Sequence, residues 1–309
     1  MADGIFVGLA TVDVIYGVRQ FPSANSKVVA SSQDVFAGGP ATNAAITFSH
    51  LAGTSTLVTA VGQHTIGGLI REECARYKVQ LIDVAPGSTD PPAISSITVN
   101  EAGQRNIVSV NAVHTALTTI IDASAVRTAA VVLVDGHYMQ ACQAWASAAR
   151  DSKVRVVMDG GSWKAGTYEL LKNVNTAICS ADFMPPGCVT QTDVVEYLKS
   201  CGVYEVAVTN GAKPIRFFSH TASGKIPVPR VRPVDTMGAG DIFHGAFCYY
   251  ASIGLQFPNA LEQAAKIAAR SIRFLGPREW MALRYGSRSI GHAYPHSYSS
   301  WGNHPNCGT

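Results

Sequence analysis

The chain has 309 residues, of which 47% are hydrophobic and 15% are charged, with a net charge of +3. This composition predicts a well-packed globular protein, and the absence of a Lys/Arg-rich run argues against nucleic acid or an acidic membrane surface as a partner. Seven dispersed cysteines without a Cys-x-x-Cys pair favour reduced thiols over disulfides or a zinc site, and no apolar run approaches the ~20 residues that span a bilayer. We therefore expect a cytoplasmic protein with no membrane partner.

The first predicted elements place candidate ligand contacts on turns. An apolar run, Gly4–Ala10, predicts a buried strand, and Asp13 follows it at the edge where α/β sheets bind ligands. Further on, Gly38 and Gly39 allow the backbone to approach a ligand, and Asn43 lies in the first turn of a predicted helix, where its amide can donate and accept hydrogen bonds. From the residues alone, a turn role for Asp13 and a helix-start role for Asn43 explain the pattern at least as well.

Two stretches lack helices, although their neighbours alternate strand and helix. Within the second stretch, Ala93–Val99 and Arg105–Val110 alternate in polarity around a turn, which predicts a hairpin. We interpret both stretches as a small β-sheet lid on a larger core. The predicted segments are an α/β core (1–13, 37–87 and 113–280), a β-sheet lid (14–36 and 88–112) and an irregular tail (281–309).

From residue 129 onward, short apolar strands alternate with helices. This alternation of strands and helices predicts a doubly wound α/β fold, with a mainly parallel sheet and helices on both faces. Several strand ends carry polar residues or glycine, and the carboxyl ends of parallel strands meet at one edge, so we expect a ligand-binding rim. The strand ends concerned are Asp135–His137, Asp159–Ser162, Cys179–Asp182 and Thr209–Gly211. The alanine-rich helix predicted at 258–275 permits close packing or a slot for a flat base.

The stretch Asp235–Phe247 indicates the most specific chemistry. Gly238 and Gly240 allow a tight turn, and the apolar residues behind them recur with a helical period. Free N–H groups at a helix N-terminus bind anions such as phosphate. Asp241 lies in the first helical turn, where it could accept the proton of an attacking hydroxyl while the preceding amides hold a phosphoryl group. A helix cap is the plainer role for this aspartate.

Two segments carry a family resemblance. Asp235–Phe243 resembles the C-terminal signature of the ribokinase-like (PfkB) carbohydrate kinases, and Gly38–Ala45 resembles their N-terminal signature. The similarity runs from about residue 4 to about residue 278. It implies a phosphotransferase that acts on an alcohol group of a small-molecule sugar, with ATP and Mg²⁺ and with activation by K⁺.

The resemblance also implies roles for individual residues. Asp241 would be the base, and the backbone of Gly238, Ala239 and Gly240 would form the anion hole. The other implied contacts are Asp13, Gly38, Gly39, Asn43 and Arg105 with the sugar, Thr209, Gly211 and Ala265 with the nucleotide, and Asp235 with the monovalent cation. In place of the family's Asn-x-x-Glu motif, which organises magnesium and phosphate, the chain has Cys179–Phe183, where Asp182 substitutes for the Glu and is one methylene shorter.

Other functions stay open at this point. A nucleoside kinase would share these motifs, and a non-catalytic relative that binds a sugar or nucleotide would agree with the altered Asn-x-x-Glu segment, although not with an intact Asp241. A nicotinamide-dependent dehydrogenase suits the α/β rhythm, but no dinucleotide glycine fingerprint follows the first strand. An exposed face of the lid could pair with a second copy, which predicts a homodimer.

Overall fold

The computed structural model describes residues 2–111, 117 and 122–282, and within them the strands form a nine-stranded sheet and a separate four-stranded sheet. The strands are β1 (Asp3–Val7), β2 (Thr11–Val18), β3 (Ser32–Gly38), β4 (Thr54–Thr59), β5 (Val79–Asp83), β6 (Ala93–Asn100), β7 (Arg105–Ser109), β8 (Val131–Val134), β9 (Arg155–Gly160), β10 (Thr176–Ser180), β11 (Glu205–Asn210), β12 (Lys213–Phe218) and β13 (Ser223–Ile226). The helices are α1 (Pro40–His50), α2 (Gly67–Arg76), α3 (Met139–Asp151), α4 (Thr167–Leu171), α5 (Gln191–Ser200), α6 (Ala239–Ser252) and α7 (Phe257–Ser271).

The large sheet has the strand order β13-β12-β11-β10-β9-β8-β1-β4-β5. The pairs from β5 to β11 are parallel, and β12 and β13 add an antiparallel edge. Strands such as β8, in which all four residues are buried, are apolar on both sides because helices cover both faces. The chain runs outward from β1 in both directions, so β1 marks the switch point at which α/β sheets bind ligands.

Helices pack on both faces of this sheet. On one face α1, α2, α6 and α7 enclose a core with the aromatic residues Phe6, Phe48 and Phe247, and on the other face α3, α4 and α5 enclose a core around Trp145. The doubly wound, mainly parallel α/β fold predicted from the sequence is therefore confirmed. No helix of the described residues is long and apolar enough to cross a membrane.

The small sheet has the order β3-β2-β6-β7, with β2 and β6 parallel and the outer pairs antiparallel. The predicted lid hairpin is present as β6 and β7. The first strand differs from the expectation, since β1 ends at Val7 and Asp13 lies within β2 of the small sheet. Sequence reasoning also missed β5, β12 and β13. Most of the predicted tail, residues 283–309, lies outside the described residues.

Candidate active site

The first turn of α6 forms a candidate anion site. Gly238 precedes the helix with a φ of 66°, in the left-handed region that favours glycine. The first N–H groups of a helix have no partner within it. Here the amide of Ala239 makes a long 3.4 Å contact with the carbonyl of Thr236, whereas the amides of Gly240 and Asp241 have no protein acceptor within the described part of the chain. Those two amides are free to bind an anion.

Asp241 is held in place by Asn43. The Nδ2 atom of Asn43 donates to Oδ2 of Asp241 over 2.7 Å, although the two residues are 198 positions apart. Two glycines make this pairing geometrically feasible. Gly39, with a φ of 92°, turns the chain into α1, and a Cβ atom at Gly245 would overlap the backbone of Ala44, so the absence of a side chain there lets α1 and α6 approach closely.

The surroundings raise the pKa of Asp241 to about 7. Burial is the largest cause, and the negative charge of Asp159 adds to it, while the hydrogen bond from Asn43 and the charge of His244 oppose it. His244 lies one turn along α6, with Nδ1 2.8 Å from the carbonyl of Gly240 and 3.5 Å from Oδ2 of Asp159. A carboxyl group with a pKa near neutrality is matched to proton transfer at physiological pH.

A second group of predicted site residues lies where the small sheet meets the start of α1. Asp13 accepts a 2.6 Å hydrogen bond from the hydroxyl of Thr11, and burial raises the pKa of Asp13. A Cβ atom at Gly38 would overlap the Asp13 carboxylate, and one at Gly39 would overlap the carbonyl of Leu9. The double glycine is thus required by the space that Asp13 and the neighbouring backbone occupy.

A buried ion pair that the sequence did not indicate lies behind Asn43. Arg278 is 8% exposed and donates from Nη1 to Oδ1 of Asn43 over 2.8 Å and from Nε to Oε1 of Glu73 over 2.6 Å. Its Nη2 donates to the carbonyl of Ala37 over 2.7 Å. In the sequence, Glu73 is only one of the polar residues of a predicted helix, and Arg278 follows α7 without a periodic pattern or a motif. The ion pair could therefore not be predicted from the neighbouring residues of either partner.

A cavity of about 700 Å³ lies beside the start of α6. Three predicted nucleotide contacts line it, namely Thr209, Gly211 and Ala265, together with Ala239 and Gly240 of the predicted anion hole. The alanine-rich face of α7 leaves room for a flat group, and Phe243, Ala268 and Ile272 complete an apolar wall. Sequence reasoning did not foresee the wall from β12 and the segment before α6: Ile215, Val228, Pro229, Arg230, Val231 and Pro233.

Three other predicted site residues either lie outside the cavity wall or form hydrogen bonds with other protein groups. Asp182 follows β10 as an exposed side chain and is not part of the cavity wall. Both carboxylate oxygens of Asp235 accept backbone hydrogen bonds, from Met237 over 2.9 Å and from Gly276 over 3.0 Å. Arg105 on the lid donates to the hydroxyl of Thr236 over 2.8 Å, which connects the lid to the loop before the anion site.

The acidic residues near the anion site do not form a metal cage. Among residues 2–111, 117 and 122–282, no group of three or more His, Cys, Asp or Glu side chains could hold a metal ion. Mg²⁺ in nucleotide sites is usually bound by one or two carboxylates together with phosphates and water. An exposed carboxylate such as that of Asp182, which follows β10, fits that smaller role.

Comparisons with known proteins establish the family of the chain and the proteins whose fold it shares. The model of the pfkB family carbohydrate kinases matches residues 1–281. A ribokinase of Staphylococcus aureus is 26% identical over 258 residues, covering 79% of this chain and 84% of the relative. In fold, the chain resembles a Thermotoga maritima ribokinase (TM-score 0.76, 21% identity, 91% and 95% of the two chains covered) and an Arabidopsis thaliana ribokinase complexed with ribose and ATP (TM-score 0.74, 22% identity, 89% and 94% covered).

The chain therefore belongs to the pfkB family of carbohydrate kinases. It is a phosphotransferase with an alcohol group as acceptor, as the sequence predicted.

Proposed function

We propose that this protein phosphorylates a hydroxyl group of a free sugar with ATP. The observation that carries the proposal is the carboxylate of Asp241, held by Asn43 beside free amides at the edge of a cavity of about 700 Å³. This arrangement supplies a proton acceptor, an anion site and space for a nucleotide in one place. The Arabidopsis thaliana ribokinase of similar fold was solved with ribose and ATP, which supports the same pair of substrates here.

In this proposal Asp241 takes the proton of the attacking hydroxyl late in the reaction, as the loose phosphoryl-transfer transition state forms. The amides at Gly238, Ala239 and Gly240 stabilise the charge on the transferring group. The amide of Gly240 is suited to this role because it has no other acceptor among the described residues, whereas that of Ala239 would exchange its long contact with Thr236 for the phosphate. Positioning by the protein supplies the rest of the acceleration.

The acceptor binds, in this proposal, between the double glycine and the lid. Asp13 and Asn43 offer hydrogen bonds to sugar hydroxyls, since the Asn43 amide keeps a second N–H and a second lone pair. Gly38 and Gly39 let the sugar approach the backbone. Arg105 joins the lid to Thr236 before the anion site, so we assign it a role in closing the lid over the sugar.

The nucleotide binds, in this proposal, in the cavity lined by Thr209, Gly211 and Ala265. Magnesium bound to the phosphates would neutralise part of their charge. Asp182, which stands in the position of the Glu in the family's Asn-x-x-Glu motif, is the residue we assign to holding that magnesium through water. A monovalent cation such as K⁺ at Asp235 would share the carboxylate with the amides of Met237 and Gly276.

The lid supports a proposed homodimer. Strand β7 forms one edge of the small sheet, and its Ile107 and Val108 are exposed by 57% and 75%. An apolar edge strand invites pairing with another chain. Light scattering after size exclusion should give a dimer for the wild type and a monomer for Ile107→Ser/Val108→Lys. The same mass for both proteins would refute this arrangement.

The substrate class is tested by ADP formation with MgATP in K⁺ or Na⁺ buffer, with ribose, fructose, adenosine or no acceptor. Turnover that depends on a sugar supports the proposal. Turnover with adenosine alone would make the protein a nucleoside kinase. Nucleotide binding without turnover on any acceptor would favour a non-catalytic role, which the altered Asn-x-x-Glu segment with its shorter Asp182 would then explain.

A further inference from the structure

Arg278 is engaged on every side by protein groups. Its guanidinium donates hydrogen bonds to Glu73, to Asn43 and to the carbonyls of Ala37 and Pro277. The Cζ atom of the guanidinium also lies 5.7 Å from the centre of the Tyr77 ring. The residue is 8% exposed. A buried guanidinium whose hydrogen bonds all go to protein groups does not contact a substrate directly. It can influence the reaction only through the residues to which it donates.

The partner that faces the reaction is Asn43. An arginine can only donate hydrogen bonds, so it selects the oxygen end of the Asn43 amide. The NH₂ end must then point the other way, toward Oδ2 of Asp241. In the flipped orientation the NH₂ group would face the guanidinium, two donors together, and the amide oxygen would face the carboxylate, two acceptors together.

We propose that Arg278 is a positioning residue for Asp241: it fixes the orientation of the Asn43 amide so that the carboxylate always receives a hydrogen bond in its ionised, proton-accepting form. This inference rests on the proposed role of Asp241 as the base. Without Arg278, a protonated Asp241 could donate to a flipped Asn43, and the amide would no longer distinguish the two states of the carboxyl group.

Glu73 holds Arg278 in this position. Its Oε1 accepts from Arg278 and its Oε2 accepts from the amide of Ala37 over 2.6 Å, immediately before Gly38. The ion pair thus connects the glycine turn of the acceptor site with the segment that follows α7. Removing only one partner of a buried ion pair destabilises a protein, because the other charge is left buried without a partner. The variants below therefore include one in which both partners are replaced.

Three other charged groups affect the pKa of Asp241. Asp135 at the end of β8 and Asp159 in β9 raise the pKa of Asp241, and His244 on α6 lowers it. Removing Arg278 leaves all three in place. Removing Arg278 also removes one positive charge, which acts with or without Asn43. The part of the Asp241 shift that disappears in an Asn43→Ala background therefore reports the loss of the amide orientation.

The test measures the ionisation of Asp241 without relying on turnover. The protein is labelled at aspartate ¹³Cγ, and the Asp241 resonance is assigned from its loss in Asp241→Asn. The variants are Arg278→Met, the uncharged double variant Arg278→Met/Glu73→Met, and Arg278→Lys, which keeps the positive charge on a single donor nitrogen. Arg273→Met removes an exposed arginine of the same segment and serves as the matched control. Circular dichroism confirms that each variant is folded.

We expect the titration midpoint of Asp241 to rise by about one pH unit in both Arg278→Met proteins, because a hydrogen bond to the ionised form is lost. It should rise less in Arg278→Lys and stay unchanged in Arg273→Met. In an Asn43→Ala background, Arg278→Met should add only the smaller shift that comes from the lost positive charge. An unchanged midpoint in a folded Arg278→Met protein, or a full shift in the Asn43→Ala background, would overturn the inference.

The kinetic readout separates this inference from the proposed function. If the wild type turns over a sugar, the acid limb of its kcat/KM profile should move with the titration. If no acceptor supports turnover, the proposed function fails, while the titration still decides the role of Arg278.

Discussion

The side chains of Asn43 and Asp241 are joined by a 2.7 Å hydrogen bond between the first turn of α1 and the first turn of α6. These two helices carry the two sequence signatures of the family, and the bond brings them into one site. The carboxylate is kept in a defined position although its surroundings disfavour its charge.

The charge of Asp241 should destabilise the fold at alkaline pH. The native pKa of about 7 lies above the ordinary value of 3.8, so stability falls from about pH 4, where the unfolded chain loses this proton, until about pH 7, where the native state loses it as well. Asp241→Asn should therefore exceed the wild type in free energy of unfolding at pH 8, on the order of 2–4 kcal/mol, and much less at pH 5. Urea unfolding at both pH values measures this, and an equal difference at both would contradict it.

Gly38 should be essential to the acceptor side. In Gly38→Ala the new methyl group would collide with Asp13, and we expect KM for the sugar to rise at least tenfold and stability to fall by about 1–3 kcal/mol. Gly68→Ala, within α2, is the matched control, because a Cβ atom there meets nothing within 4 Å. That variant should be as stable as the wild type or up to about 1 kcal/mol more stable. Equal effects of the two variants would refute the steric argument.

The bond between Arg105 and Thr236 should favour the closed lid. Arg105→Met and Thr236→Val each remove one partner, and we expect each to raise KM for the sugar about threefold to tenfold with little change in kcat. The double variant should be no worse than the single ones, since one interaction is lost in all three. Arg19→Met, at an exposed arginine of the lid region, should leave KM unchanged. Additive effects in the double variant would show that the two residues act separately.

The sequence predicted the parts of this molecule that have a local pattern. Apolar strands and periodic helices indicated the α/β core, and the alternation around the turn at Gly103 indicated the lid hairpin. By contrast, β12 and β13 have mixed polarity, and the register of Asp13 depends on pairing with β3 and β6. Arg278 contacts residues more than 200 positions away, so only the folded chain reveals its role.

The chemical step is tested most directly by comparing wild type and Asp241→Asn with the sugar that supports turnover. ADP formation gives kcat, and calorimetric titration gives the affinity for ATP. We predict that kcat falls by about 10²–10⁴-fold while the affinity for ATP changes little, because the variant removes the proton acceptor and leaves the cavity and the amides in place. Wild-type turnover in Asp241→Asn would contradict the assignment of Asp241 as the base.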